Sequence, residues 1–224
     1  AEIVDEIIRE HLGKKYHIET INSHEIELIH DKLLGKEKSL FFISNFVNLD
    51  PASKKWLSDK KYFIFEHDHK YLVNRDPSKF NDFSAPKDFV VNKNFYENAI
   101  NVFCQSKIHE EVLVKNLGIS NTINLGCSMW SEQEMEILQN NTKTEKRNIA
   151  CVMSSSNAIK GEAEAKRYCE DNHIEHEIIK PMEYKGFIEV LSGYSKLVFF
   201  PQVLESFSRV AVEARILGCS LVTN

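Results

Sequence analysis

The chain has 224 residues, enough for one or two domains, and 42% of them are hydrophobic, enough for real cores. A formal net charge of -5 leaves no broad basic surface for nucleic acid, and no apolar run approaches the roughly 20 residues that span a bilayer, so membrane contact is expected to be peripheral at most. Five cysteines, Cys104, Cys127, Cys151, Cys169 and Cys219, are odd in number and form no C-x-x-C pair, which argues against a zinc site or disulfide framework and points to a reducing, cytoplasmic setting.

Along the chain, Ile3, Val4, Ile7, Ile8 and Leu12 recur at helical spacing, and 16–21 reads as a strand. The apolar runs 40–44 and 62–65 predict buried strands. A short helix precedes a strand at 100–104, a helix over 107–117 stops at Gly118, and 122–125 closes the set. The stretch 139–148 is polar throughout and reads as a linker, which divides the chain into domains at 1–140 and 141–224. Strands at 149–153, 177–179 and 196–200 then alternate with helices at 162–170 and 184–191. Strand and helix in alternation predict an α/β protein with parallel sheets covered by helices.

The richest stretch is 199–214, which joins a buried strand, a short loop and a helix bearing Glu205 and Glu213 in an E-x7-E arrangement. If one helix carries both, they lie about 80° apart around it and about 12 Å apart along it, one for each end of an elongated ligand. Ligands of open α/β sheets sit outside the carboxyl ends of strands, against helix N-termini, and a phosphate suits that place. The plainer alternative is an amphipathic helix with solvated glutamates.

The run from Pro201 to Asn224, with Glu205, Phe207, Glu213, Ala214, Gly218 and Val222, resembles the nucleotide-diphosphate-sugar site of retaining GT-B glycosyltransferases, family 4 above all. Where such enzymes read E-G-F-G, this chain reads Glu205-Ser206-Phe207-Ser208. Phe103 to Lys107 resembles the family's strand-to-serine step, Ile123 to Gly126 its I-x-N-G turn, and His67-Asp68 the H-D at its crevice floor. The resemblance implies two Rossmann-like domains in tandem, the second incomplete. It also implies a chain cut at both ends, because Ala1 to Val4 resembles a helix that in the family follows a strand and a glycine pair; a naturally compact form is the alternative. Fingerprints for NAD, for a P-loop and for a hydrolase elbow are absent from the sequence.

The activity so implied is transfer of a sugar, with retention, from a nucleotide-diphosphate-sugar donor to a hydroxyl acceptor that is a glycan, lipid-linked or a small molecule. No separate cofactor is expected. The lack of a D-x-D motif disfavours the metal-dependent GT-A class. On the donor side the resemblance places Lys160, Ser206, Phe207, Ser208 and Arg209 at the diphosphate, Glu205 at the reacting sugar and Glu213 at the ribose. His67 joins Glu205 as a catalytic candidate, and Asp68, His69, Lys70, Tyr71 and Arg75 face the acceptor. For a metal in 66–70, alternation along a strand would let only His67 with His69, or Glu66 with Asp68, converge, so none is expected. The alternative function is a non-catalytic sugar-nucleotide or glycan-binding module of the same fold. A sugar epimerase or phosphorylase has weaker support.

Overall fold

The computed structural model describes residues 2–23, 33 and 35–224. Two compact units, Ala1–Met129 and Trp130–Asn224, make up the chain, each built on a four-stranded parallel sheet among the described residues.

In the first unit, helix α1 (Glu2–Gly13) precedes β1 (Leu40–Ile43), α2 (Pro51–Ser58), β2 (Lys61–Phe65), α3 (Lys93–Glu97), β3 (Val102–Cys104), α4 (Lys107–Leu117) and β4 (Thr122–Asn124). The strands lie in the order β1-β2-β3-β4. Residues 17–21 pair with no strand, a correction to the strand predicted for 16–21. Helix boundaries follow local chemistry. The Asp50 carboxylate accepts from the Ala52 and Ser53 amides at 2.8 and 2.9 Å, with Pro51 in the first turn. Ser106 caps α4 by accepting from the His109 amide at 3.2 Å, and Gly118, at φ 68°, ends it.

One face of this sheet, with Tyr62, Ile64, Val102 and Cys104, packs on Phe46, Phe95, Tyr96, Leu113 and Leu117 in a buried core. Register places Phe42 beside Phe63 on the other face, and an aromatic row runs across it, Phe42 to Phe63 at 5.2 Å and Phe63 to Phe103 at 5.6 Å. Trp56 of α2 meets Phe41 edge-on at 5.8 Å and carries the Lys60 ammonium over its ring at 4.6 Å.

The second unit begins with α5 (Glu132–Asn141), then β5 (Arg147–Met153), α6 (Glu162–Asp171), β6 (His176–Ile179), α7 (Tyr184–Ser192), β7 (Tyr194–Val198), α8 (Arg209–Ile216) and β8 (Ser220–Val222). Strand order is β6-β5-β7-β8. Helix α5 was not foreseen. It opens on a capping box, Ser131 accepting from the Glu134 amide while the Glu134 carboxylate accepts from the Ser131 amide. The polar stretch 139–148 is therefore shared among the end of α5, a turn and the start of β5.

Both faces of the second sheet are covered, which is why β5 and β7 end in the apolar stretches 149–153 and 197–198. On one face Ala150, Val152 and Val198 pack against Ala165 and Cys169 of α6. Cys151 and Leu197 face the other way, onto Leu138 of α5, Ile188 and Leu191 of α7, Ala214 of α8 and Leu217 just after it. Among the described residues no helix is long and apolar enough to cross a membrane.

Candidate functional site

Adjacent parallel strands β5 and β7 send their chains out of the same edge of the second sheet. The two loops that follow them are clipped together. The Gln202 amide donates to Ile159 O at 2.8 Å, and Gln202 Nε2 donates to Phe200 O at 2.7 Å. Gly161 has φ 69°, and a Cβ there would stand 1.7 Å from Phe200 O, so this close approach of two backbones excludes every other residue.

Lys160 and Glu205 meet across this clip, Nζ to Oε1 2.9 Å, with side chains 35% and 20% exposed. A cation and a carboxylate thus stand together, accessible to a ligand, where strand ends of an α/β sheet hold theirs. Nearby, Glu162 turns its carboxylate onto the β5 loop, accepting from Ser154 Oγ at 3.0 Å and the Ser155 amide at 2.9 Å. Its pairing with Lys166, then these two hydrogen bonds, hold the Glu162 carboxyl down to about 2. The Ser154 hydroxyl and the Ser155 amide are therefore committed to Glu162, and Lys160 adds a cation at this loop's mouth.

One expectation is corrected. Glu205 does not share a helix with Glu213, because α8 begins at Arg209 and Glu205 lies in the preceding loop. Ser206 and Ser208 belong to the residue class that favours caps over helix interiors, and Ser208 takes a cap conformation at φ -93°, ψ 99°. The helical spacing argument therefore fails, but the loop still brings Glu205 to Lys160. Val212 bonds back to Ser208 O at 3.3 Å, so the amides before it form the helix's donor-rich N-terminus. Ser206 is buried, and Phe207 sets its ring edge-on to Trp130 at 6.2 Å.

Glu213 is only 3% exposed and faces inward. Its Oε1 accepts from Trp130 Nε1 at 2.8 Å and from the Tyr184 hydroxyl at 3.2 Å, and lies 3.5 Å from the Arg209 guanidinium. Arg209 also donates to Glu134 at 2.7 Å and packs over Trp130, 5.0 Å from its ring centre. Burial, with the Glu213 and Glu134 carboxylates close by, pushes the Tyr184 phenol up, so it stays protonated and donates. This network ties the start of the unit to α5, α7 and α8. Sequence reasoning did not find Trp130, Glu134 or Tyr184; the S-x-x-E spacing of Ser131 to Glu134 was the available sign.

In the first unit, β2 ends at Phe65, so 66–70 is a turn and the alternation applied to it does not hold. Glu66 is fully buried and gathers donors: the Asp68 amide at 3.2 Å, the Lys70 amide at 3.0 Å, Lys70 Nζ at 3.1 Å and the Tyr96 hydroxyl. His69, Lys70 and Tyr71 are buried too, His69 Nδ1 lying 2.9 Å from the Tyr71 hydroxyl. Asp68 is half-exposed and pairs with Lys70 at 2.8 Å and with Arg75. His67 lays its ring along Phe65 at 5.4 Å. The described residues contain no group of three or more potential metal ligands.

Burial raises the Glu66 carboxyl, but Lys70, His109 and the Tyr96 and Lys70 hydrogen bonds outweigh it and hold the group down to about 2. Burial and the Lys70 charge lower His67 to about 4, and burial lowers His109 to about 3. Both imidazoles are neutral at pH 7. Unfolding returns them towards 6.5, so the unfolded chain binds protons that the folded one refuses. Their stability contribution is present above pH 6.5 and is lost as the pH falls towards 4. With about 1.36 kcal/mol per pH unit for each imidazole, the first unit is expected to lose up to about 2.7 kcal/mol per unit in that window. Below pH 4.5 protonation of Glu66 removes more. Urea unfolding midpoints measured from pH 7 to 5 check this; a flat profile contradicts it.

No protein-family model matches the sequence, and no curated protein matches it. Solved structures do. Apo OtsA superposes with a TM-score of 0.58 at 10% identity, covering 90% of this chain and 62% of that one. Sucrose-phosphate synthase from Thermosynechococcus elongatus gives 0.56 at 11%, covering 88% and 58%. Anabaena HepE in complex with UDP and glucose gives 0.52 at 13%, covering 90% and 63%. The chain therefore spans 58 to 63% of the length of these structures. Likeness at such identity is likeness of fold, and the fold is that of two Rossmann-like domains of the GT-B type.

Proposed function

We propose that the protein is a glycosyltransferase whose second unit binds a nucleotide-diphosphate sugar and whose first unit takes a hydroxyl acceptor. The observation that carries this is the Lys160–Glu205 pair on the clipped loops after β5 and β7, beside the N-terminus of α8. Support also comes from the GT-B fold, whose solved examples include HepE holding UDP and glucose.

In this reading Lys160, the α8 amides and the backbone at Ser206, Phe207 and Ser208 bear the diphosphate as negative charge develops on it. Glu205 faces the sugar, where positive charge develops at the anomeric carbon, while Glu213, buried against Trp130 and Tyr184, serves the ribose end of the donor only by fixing α8. Arg209 acts on the diphosphate only indirectly, since Glu134 and Trp130 hold its guanidinium. The anomeric configuration is retained and no metal is needed, both inferred from the E-x7-E resemblance and the absent D-x-D. On the first unit, the half-exposed Asp68 carboxylate offers hydrogen bonds to acceptor hydroxyls, and the neutral His67 imidazole, stacked on Phe65, shapes the turn beside it.

The test is a thermal-shift series with UDP, GDP and ADP sugars, with and without EDTA. A true donor at 100 times its dissociation constant is expected to stabilise the protein by about 2.7 kcal/mol, chelator or not. Lys160→Ala is expected to weaken nucleoside-diphosphate binding about tenfold or more, about 1.4 kcal/mol, with the melting temperature of the free protein kept. Unchanged affinity in calorimetry returns Lys160 to an ordinary surface lysine. Stabilisation by a nucleotide without turnover of any sugar would instead select the binding-module reading.

A further inference from the structure

A buried ion pair is a poor way to stabilise a fold, because desolvation of both charges offsets their attraction and apolar replacements are often as stable. The Glu66–Lys70 pair, with side chains 0% and 2% exposed, therefore asks for another explanation. Its geometry supplies one. Three donors converge on one carboxylate oxygen, the Asp68 amide, the Lys70 amide and Lys70 Nζ, so that the carboxylate closes 66–70 into a ring. The other oxygen is held by Tyr96. Both ends of the ring are pinned, the Glu66 amide to Phe103 O at 3.0 Å and Lys70 O to Asn92 Nδ2 at 3.0 Å. Asp68, its side chain 41% exposed, is the residue the ring presents, with His67 stacked on Phe65 beside it. Lys70 finishes the arrangement by reaching past Glu66 to the Asp68 carboxylate at 2.8 Å.

We infer that Glu66 and Lys70 are positioning residues, a buried anchor that fixes the His67–Asp68 turn to receive an acceptor hydroxyl. This rests on the transferase reading above. Neither residue touches the acceptor: Glu66 acts through the Asp68 and Lys70 amides, and Lys70 through the Asp68 side chain. Sequence reasoning had placed Lys70 facing the acceptor and had given Glu66 no part beyond a rejected metal pairing.

Single substitutions leave an uncompensated buried charge and risk unfolding, so the informative variant is the neutral double, Glu66→Gln with Lys70→Met. It is expected to fold, with nucleotide-sugar affinity in calorimetry equal to that of the parent chain. The acceptor KM is expected to rise about tenfold or more, and hydrogen exchange at the Asp68 and Lys70 amides to speed up by a similar factor, since both lose a charged acceptor. Parental acceptor KM in a folded double variant overturns the proposal. If the parent chain binds donors but transfers to no acceptor, the transferase reading fails separately, and unchanged amide exchange then overturns the anchor by itself.

Discussion

Glu205→Gln is expected to lower kcat about a hundredfold or more while leaving the donor KM within a small factor. The substitution keeps shape and hydrogen-bonding length but removes a negative charge, so its effect is confined to the state in which positive charge has built up on the sugar. In the free protein Glu205 is held by Lys160 at 2.9 Å. In the proposed reading a bound diphosphate takes over that ammonium, and the carboxylate is then released towards the sugar. A group that acts only in the transition state shows itself in kcat, whereas one that binds ground and transition states alike raises KM alone. Steady-state kinetics beside circular dichroism decide the matter. Normal turnover by the folded variant would mean that the sugar lies elsewhere.

Glu213→Ala is expected to act first on stability. The carboxylate is buried, and its loss strands Trp130 Nε1, the Tyr184 hydroxyl and one side of the Arg209 charge. Removing one partner from a buried charged network typically costs about 3–5 kcal/mol, and the lower end applies because Arg209 keeps Glu134. At about 4 °C per kcal/mol or more for a unit of this size, the second unit's melting temperature should drop by about 12 °C. Glu213→Gln retains an acceptor for Trp130 and Tyr184, melts closer to the parent chain, and raises donor KM with kcat kept. Parental melting of Glu213→Ala would show that the network does not hold α5, α7 and α8 together.

Most strands and helices were legible because their signals are local. Runs such as Ile149 to Met153, short, apolar and set between polar stretches, read as buried strands, and Ser106 with Gly118 brackets α4 from both ends. The 16–21 segment has the apolar spacing of a strand yet lacks a paired neighbour, and pairing is not a local property. Glu205 and Glu213 were found by spacing, but their geometry was misjudged, since a helix was extended backwards through serines that prefer to cap it. Contacts across 83 residues, such as Trp130 with Glu213, leave no periodic trace. Nor does burial of a charge: Glu66, His69 and Lys70 look like a solvated polar run until the turn after β2 folds them inward.

Each unit contains a single tryptophan, Trp56 in the first and Trp130 in the second. Their surroundings differ in kind, Trp56 under an ammonium group and against Phe41, Trp130 donating to a buried carboxylate beside a guanidinium. The protein therefore has a built-in pair of optical labels, one per unit. Replacing Trp56 by Phe leaves an emission spectrum that belongs to the second unit alone, and a denaturant titration of that variant against the parent chain reads whether the two sheets unravel in one cooperative step or in succession.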